Sequence, residues 1–123
     1  MNNTQCLVGE NIMKKILFTL LMSLSQLAFA DGSITILSPK DGSTLSSGMG
    51  NKLEYNVKLG PTGNHLHVYV DDQDPIVDRN VSGCPCKIDL PDLSPGRHTI
   101  VVKEATASHA LTGLQAKASV TVK

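Results

Sequence analysis

The chain contains no tryptophan, and both of its phenylalanines lie within the first 30 residues. Residues 31–123 therefore keep only Tyr55 and Tyr69 as Phe, Tyr or Trp side chains. Aromatic rings supply the large, flat contact surface on which sugar-binding modules depend. Their scarcity argues against a carbohydrate-binding module.

An excess of positive charge is also lacking. The whole chain carries 11 Lys and Arg against 11 Asp and Glu. Residues 31–123 carry nine against ten, a net charge of −1. Nucleic acids and anionic membrane surfaces are bound through a basic face. Neither is therefore an expected partner.

Only one long apolar run is present, and it has the form of a secretion signal at residues 13–30. Two lysines precede Ile16–Leu24, which is too short for a membrane anchor, and Ala28-Phe29-Ala30 offers a small-x-small cleavage pattern. We expect cleavage near Ala30, a mature domain at 31–123, and a soluble product in the bacterial periplasm or secreted. The protein is not expected to be membrane-embedded.

Residues 1–12 do not fit this signal, because twelve further residues rarely precede its charged start. We interpret 1–12 as a mis-assigned upstream start and Met13 as the true one, with Gly9-Glu10 encoded by a purine-rich, ribosome-binding stretch. Cys6 then drops out. The mature domain keeps two cysteines, Cys84 and Cys86.

The mature region alternates apolar and polar residues in short runs separated by Gly, Pro, Asn and Asp. Period-two alternation bounded by turn residues predicts half-buried strands. Seven are predicted: 33–37, 53–59, 65–70, 76–81, 88–90, 98–102 and 116–123. This spacing, without a convincing helix, predicts an all-β, seven-stranded antiparallel immunoglobulin-like β-sandwich.

Three segments carry a family resemblance: HLHVYVDD at 65–72, CPCKIDLPDLSPGRHTIVVKEAT at 84–106 and ASVTV at 118–122. They resemble the bacterial immunoglobulin-like, fibronectin-III-like domains of secreted proteins. The resemblance implies that Leu66, Val68 and Val70 point inward, and that Gly96 and His98 occupy a structural corner. It implies a fold and not an activity.

A narrower similarity is to small stand-alone periplasmic domains of unknown function, which carry GHHHLL-type and PGKHTL-type motifs. The corresponding segments are 63–67, 93–100 and Ser108-His109. Two features depart from that pattern. Asn64 stands where a histidine would be, and Cys84-Pro85-Cys86 is extra.

The predicted sandwich brings His65, His67 and His109 to one pole, together with Cys84 and Cys86. His-x-His on a strand places two imidazoles on one face, about 7 Å apart at Cα. A third imidazole from the loop at 105–112 would complete a Cu or Zn site. The alternative is that these histidines are merely polar side chains on the solvated outer face.

The two cysteines allow three interpretations. An oxidising compartment favours a Cys84–Cys86 disulfide, although such a small ring is strained. Free or intermolecular thiols are the second possibility, and metal ligation is the third. Cys86 shares the inward parity of Ile88, which argues against a site using both Cys86 and the outward His67.

The remaining polar candidates are given structural roles. His98 is expected to bond backbone across the corner at Gly96, and Glu104 falls on the inward parity of its strand. The acidic turn lacks the spacing of a calcium loop, so a solvated hairpin is favoured. It comprises Asp71, Asp72, Asp74 and Asp78.

No motif for nucleophilic, acid–base or phosphate chemistry is present, so an enzyme is not expected. We expect an exported, non-catalytic binding or accessory module, with Cu or Zn held at the pole of loops. The alternative is a protein–protein interaction or assembly module that binds an unknown protein partner and no metal.

Overall fold

A computed structural model describes residues 31–123. The start at Met13, the leader at 13–30 and the cleavage near Ala30 lie outside the described residues. Within 31–123, no helix has the length and apolar character needed to span a bilayer.

Eight strand segments form two sheets. They are β1 (Ser33–Ser38), β2 (Thr44–Leu45), β3 (Lys52–Lys58), β4 (His65–Val70), β5 (Ile76–Asp78), β6 (Cys86–Asp89), β7 (Gly96–Ala105) and β8 (Leu111–Val122). One sheet has the order β1-β3-β6, and the other has the order β2-β8-β7-β4-β5. The all-β sandwich predicted from the sequence is confirmed.

Period-two alternation decides which side chains the sheets bury between them. In β3, Leu53 and Tyr55 are fully buried while Asn56 is exposed. In β8, Ala118, Val120 and Val122 are buried, as the pattern predicts. Burying one such aliphatic side chain contributes about 1.5–3 kcal/mol. The core therefore fixes which face of each strand is left for other roles.

The strands differ from the sequence prediction at their ends. β2 was not anticipated, and it pairs parallel with β8, whereas the other pairs are antiparallel. β8 begins at Leu111, so the loop expected at 105–112 is a turn at 106–110. Cross-strand pairing with β7 overrides the weak local pattern of Leu111–Gln115.

The corner before β7 brings Gly96 and His98 to the pole opposite the β7–β8 turn. Gly96 has φ of +127°, a conformation that favours a residue without a Cβ. His98 donates from Nε2 to the Ser94 carbonyl at 2.6 Å and from Nδ1 to Asp71. The ring therefore joins the start of β7 to the turn after β4.

Candidate metal centre

Strand β4 sorts its residues onto two faces. Leu66, Val68 and Val70 point into the core with at most 3% exposure, and the alternate residues His65 and His67 lie on the opposite face. That face was expected to be solvated. It is not, because His65 is 0% exposed and His67 is 7% exposed. Buried polar side chains need hydrogen-bond partners, and here the partners are other imidazoles.

The β7–β8 turn supplies the third imidazole. His109 is exposed and adopts a left-handed conformation with φ of +69°. Its amide donates to the Thr106 carbonyl at 2.9 Å, and the Thr106 amide donates to Ala110 at 2.8 Å. The Ala110 amide also donates to the Thr106 hydroxyl at 3.2 Å. These bonds fix the turn that lays the His109 ring over β4.

His65, His67 and His109, the His trio, bring one nitrogen each to a common point. His65 Nε2 lies 3.0 Å from His67 Nε2 and 3.1 Å from His109 Nδ1. His67 Nε2 lies 3.3 Å from His109 Nδ1. Within the described residues, this is the group of His, Cys, Asp or Glu side chains whose ligand atoms converge closely enough to hold a metal ion.

These separations fit a metal tripod. A tetrahedral ion with metal–nitrogen bonds of about 2.0–2.1 Å holds its nitrogens about 3.3–3.4 Å apart. The observed spans of 3.0–3.3 Å need to open by only a few tenths of an ångström. Three protein ligands leave one coordination position open, as in zinc sites that exchange a ligand.

Neighbouring groups orient the two buried rings. Asn64 Oδ1 lies 2.9 Å from His65 Nδ1 and accepts its proton, which leaves the Nε2 lone pair facing the trio. The Tyr69 hydroxyl lies 3.4 Å from His67 Nδ1, at the far side of that ring. Such outer partners fix the tautomer of metal-binding histidines.

Burial keeps the two inner rings neutral. It lowers the pKa of His65, and the charges of Arg79, His109 and His67 lower it further. The pKa of His67 is lowered by burial first, and then by His109 and Arg79. Since a neutral imidazole is the metal-binding form, both rings offer a lone pair at physiological pH.

Arg79 lies against the outer ring of the trio. Its Nη2 lies 3.4 Å from His109 Nε2, the nitrogen turned away from the other two histidines. Lys103 also lies on this face, with its Nζ 5.0 Å from the centre of the Tyr69 ring. Arg79 was not singled out by the sequence analysis, because no local pattern links the strand after residue 75 to a turn 30 residues later.

The cysteines are separate from the trio. Cys84 and Cys86 form a disulfide, and Cys86 lies in β6, in the sheet opposite His67. Cys86 is buried in the core, with its Sγ 3.4 Å from the Asn80 carbonyl oxygen. A disulfide sulfur offers no thiolate, so in this state the pair contributes no ligand to the site.

Two buried carboxylates lie on the inner face of the same sheet. Leu66 pairs with Asp78 on one side and with Glu104 on the other, so all three side chains point inward. Asp78 accepts a hydrogen bond from the Tyr55 hydroxyl. The expectation that Asp78 belongs to a solvated acidic turn is wrong, because it is only 8% exposed. Its burial depends on Tyr55, which is remote in the chain.

Glu104 is anchored on the inner side of this pole and is only 2% exposed. Its Oε2 accepts from the Gly60 amide at 2.8 Å, and its Oε1 accepts from the Thr112 hydroxyl at 2.8 Å. A Cβ on Gly63 would lie 2.4 Å from Oε2, so the loop approaches the carboxylate too closely for any side chain there. The inward parity of Glu104 was visible in the sequence, but its partners were not.

Comparison with known proteins identifies the fold. The chain is similar to the fibronectin(III)-like modules of CbhA from Clostridium thermocellum, with 17% identity, a TM-score of 0.58, and coverage of 73% of this chain and 95% of the module. Two structures described as the extracellular domain of a one-component and of a hybrid two-component system from B. thetaiotaomicron match at 12% identity and a TM-score of 0.48. The two matches cover 78% and 77% of this chain, respectively. This chain spans only 16% of the length of each of those proteins.

No protein-family model and no curated protein matches the sequence. The structural match to the CbhA modules confirms the fibronectin-III-like fold expected from the sequence. The narrower similarity to stand-alone periplasmic domains stays a prediction.

Proposed function

We propose that this chain is an exported, periplasmic accessory module that binds one transition-metal ion, Cu or Zn, through His65, His67 and His109. The observation that carries the proposal is the convergence of three imidazole nitrogens within 3.3 Å of one another. Two of the rings are buried and held neutral, and one coordination position is left for an exchangeable ligand.

Two buried histidines that only hydrogen-bond to each other would not need three nitrogens at a common point. Asn64 accepts the Nδ1 proton of His65 and so turns the Nε2 lone pair of that ring toward the other two histidines. If hydrogen bonding between the rings were all that was needed, His65 could instead donate its own Nε2 proton to them. Three nitrogens that face one another repel unless a ring proton or a cation lies between them. A metal ion satisfies all three at once, and the trio accommodates it with a small outward movement.

Metal binding is tested by dialysing the purified protein against Cu or Zn and measuring the bound metal by mass spectrometry. We expect one ion per chain for wild type, and loss of at least tenfold in affinity for His65→Ala and His67→Ala. His98→Gln, at the opposite pole, is the matched histidine control and should bind as wild type does. Binding of neither metal, or equal binding by the trio variants, would refute the proposal.

A protein-binding role is the second candidate, favoured by two exposed apolar side chains near the trio. Val77 pairs with His67 and is 44% exposed, while Leu111 is 48% exposed and lies across from Ala105, the partner of His65. Cross-linking in a periplasmic extract with wild type and with Val77→Ser/Leu111→Ser tests this role. Retention of every cross-linked protein by the double variant would exclude these side chains as the contact.

Export is proposed from the sequence signal at 13–30 and is tested separately. The processed protein, recovered from the periplasm, should begin at Asp31 by N-terminal sequencing. A precursor peptide from residues 1–12, found by mass spectrometry, would overturn the assignment of Met13 as the start.

A further inference from the structure

The charges around the His trio distinguish between the two candidate ions. The three ligands are imidazole side chains, which bring no negative charge, and no Asp or Glu of the described residues joins the converging group. The buried carboxylates nearest in register, Asp78 and Glu104, are on the other face of the sheet, where they bond to Tyr55 and to Gly60 and Thr112. The ligands of the site therefore supply no negative charge to offset a bound cation.

Arg79 adds positive charge at the same place. Its guanidinium lies 3.4 Å from the outer nitrogen of His109, the nitrogen turned away from the other two histidines. A guanidinium beside the trio repels any cation bound there, in proportion to the charge of that ion. With Arg79, a bound Zn(II) gives the site a formal charge of +3, whereas Cu(I) gives +2.

We propose that the His trio takes Cu(I) in preference to Zn(II), and that the positive charge of Arg79 strengthens this preference. The inference rests on the proposed metal-binding function and narrows its ligand to one ion. Cu(I) accepts three imidazole ligands, and as a monovalent ion it is opposed by the guanidinium half as strongly as a divalent ion. Arg79 is a selectivity residue that does not itself ligate the metal.

The closing experiment measures the dissociation constants of both ions. Zn(II) is titrated against a chromophoric chelator, and Cu(I) is titrated under nitrogen against bicinchoninate with ascorbate as reductant. Thiol titration checks that the Cys84–Cys86 disulfide survives these conditions. Cys84→Ser/Cys86→Ser should bind Cu(I) as wild type does, which excludes thiolate binding.

Arg79→Met removes the charge from an exposed side chain while keeping much of its length, and Arg79→Lys retains the charge. Because the Coulomb energy doubles with the ionic charge, we expect Arg79→Met to raise Zn(II) affinity about tenfold and Cu(I) affinity about threefold. Arg79→Lys should stay close to wild type. Arg97 is the other exposed arginine of the described residues, so Arg97→Met is the matched control. It should change neither the Zn(II) nor the Cu(I) dissociation constant.

The outcomes separate the two proposals. Wild type that binds neither ion refutes the metal-binding function, and the preference with it. Binding of both ions through the trio, with tighter Zn(II) than Cu(I) in wild type or an equal change of both in Arg79→Met, overturns the preference alone.

Discussion

His98 and Asp71 form an ion pair across the corner of the sandwich, with Nδ1 2.6 Å from Oδ2. Both ring nitrogens of His98 donate, one to Asp71 and one to the Ser94 carbonyl, so the ring is the imidazolium. The hydrogen bond to Asp71, followed by that to Ser94, raises the pKa of His98. Burial opposes this rise but is outweighed.

The pair makes stability depend on pH. Because the folded pKa of His98 is raised, its contribution is fully present below the unfolded pKa of about 6.5 and is lost as pH rises through the folded value. The free energy of unfolding, measured in urea at a series of pH values, should decline above pH of about 6.5. His98→Gln should cost about 1–2 kcal/mol at pH 6 and flatten this decline. An unchanged slope in the variant would contradict the assignment.

Asp71 produces the opposite limb of the same profile. Burial alone would raise the pKa of Asp71, but hydrogen bonds from the Thr99 amide and from His98 lower it overall. Its contribution is present above the unfolded pKa, about 3.9, and is lost as pH falls through the folded value. Asp71→Asn should therefore remove part of the acid-induced loss of stability. Asp72→Asn, which changes the exposed neighbouring carboxylate, is the control. It should leave the loss of stability at low pH unchanged.

Tyr55 and Asp78 join the two sheets through a buried hydrogen bond. Burial, then the hydrogen bond and the charge of Asp78, raises the pKa of Tyr55. Tyr55→Phe leaves the carboxylate without this donor and should cost about 1–3 kcal/mol. Tyr69→Phe, on the opposite face, should cost less. Chemical denaturation of both variants checks the difference, and equal losses would contradict the structural role of the Tyr55 hydroxyl.

Gly63 and Glu104 constrain each other at the pole that carries the trio. Gly63→Ala places a methyl group 2.4 Å from the Glu104 carboxylate and should destabilise the fold by about 2 kcal/mol or more. In the Glu104→Ala background the same substitution should cost much less, since the obstructing oxygen is gone. Denaturation of the four proteins in a double-mutant cycle measures this coupling. Additive losses would show that the contact does not exist.

Asn64 should tune metal affinity without contacting the ion. Its Oδ1 fixes the proton of His65 on Nδ1, 2.9 Å away. Removal of such outer partners typically costs 10–100-fold in metal affinity. Asn64→Leu should therefore weaken Cu(I) binding about tenfold, and Asn56→Leu, on the exposed face of β3, should leave it unchanged. Unaltered binding by Asn64→Leu would remove Asn64 from the site.

The sequence predicts the sandwich because each long strand carries its own signal. The alternation of Leu66, Val68 and Val70 fixes which face of β4 joins the core, and Val120 and Val122 do the same for β8. The two-residue β2 carries no periodic signal, so it was missed. The start of β8 was misplaced because pairing with β7, rather than local composition, extends it to Leu111.

The position of the trio follows from topology, but its burial does not. The strand order alone places His65, His67 and His109 at one pole. The outward parity of β4 then predicts exposure, and the structure instead covers both strand histidines. His109 of the β7–β8 turn lies against both rings, and its position depends on a loop conformation that no short pattern encodes. Asp78 was misjudged for the same reason, since Tyr55 lies 23 residues away.

The trio draws two rings from one strand and the third from the adjacent hairpin of the same sheet. The trio therefore depends on one sheet and one turn, and not on contacts between the two sheets. The three ligand positions all lie outside the hydrophobic interior, so the residues that build the trio are separate from those that build the core. Because hydrogen bonds between Thr106 and residues 109 and 110 fix the turn that carries the third nitrogen, an insertion in that turn should displace this nitrogen while the core is kept.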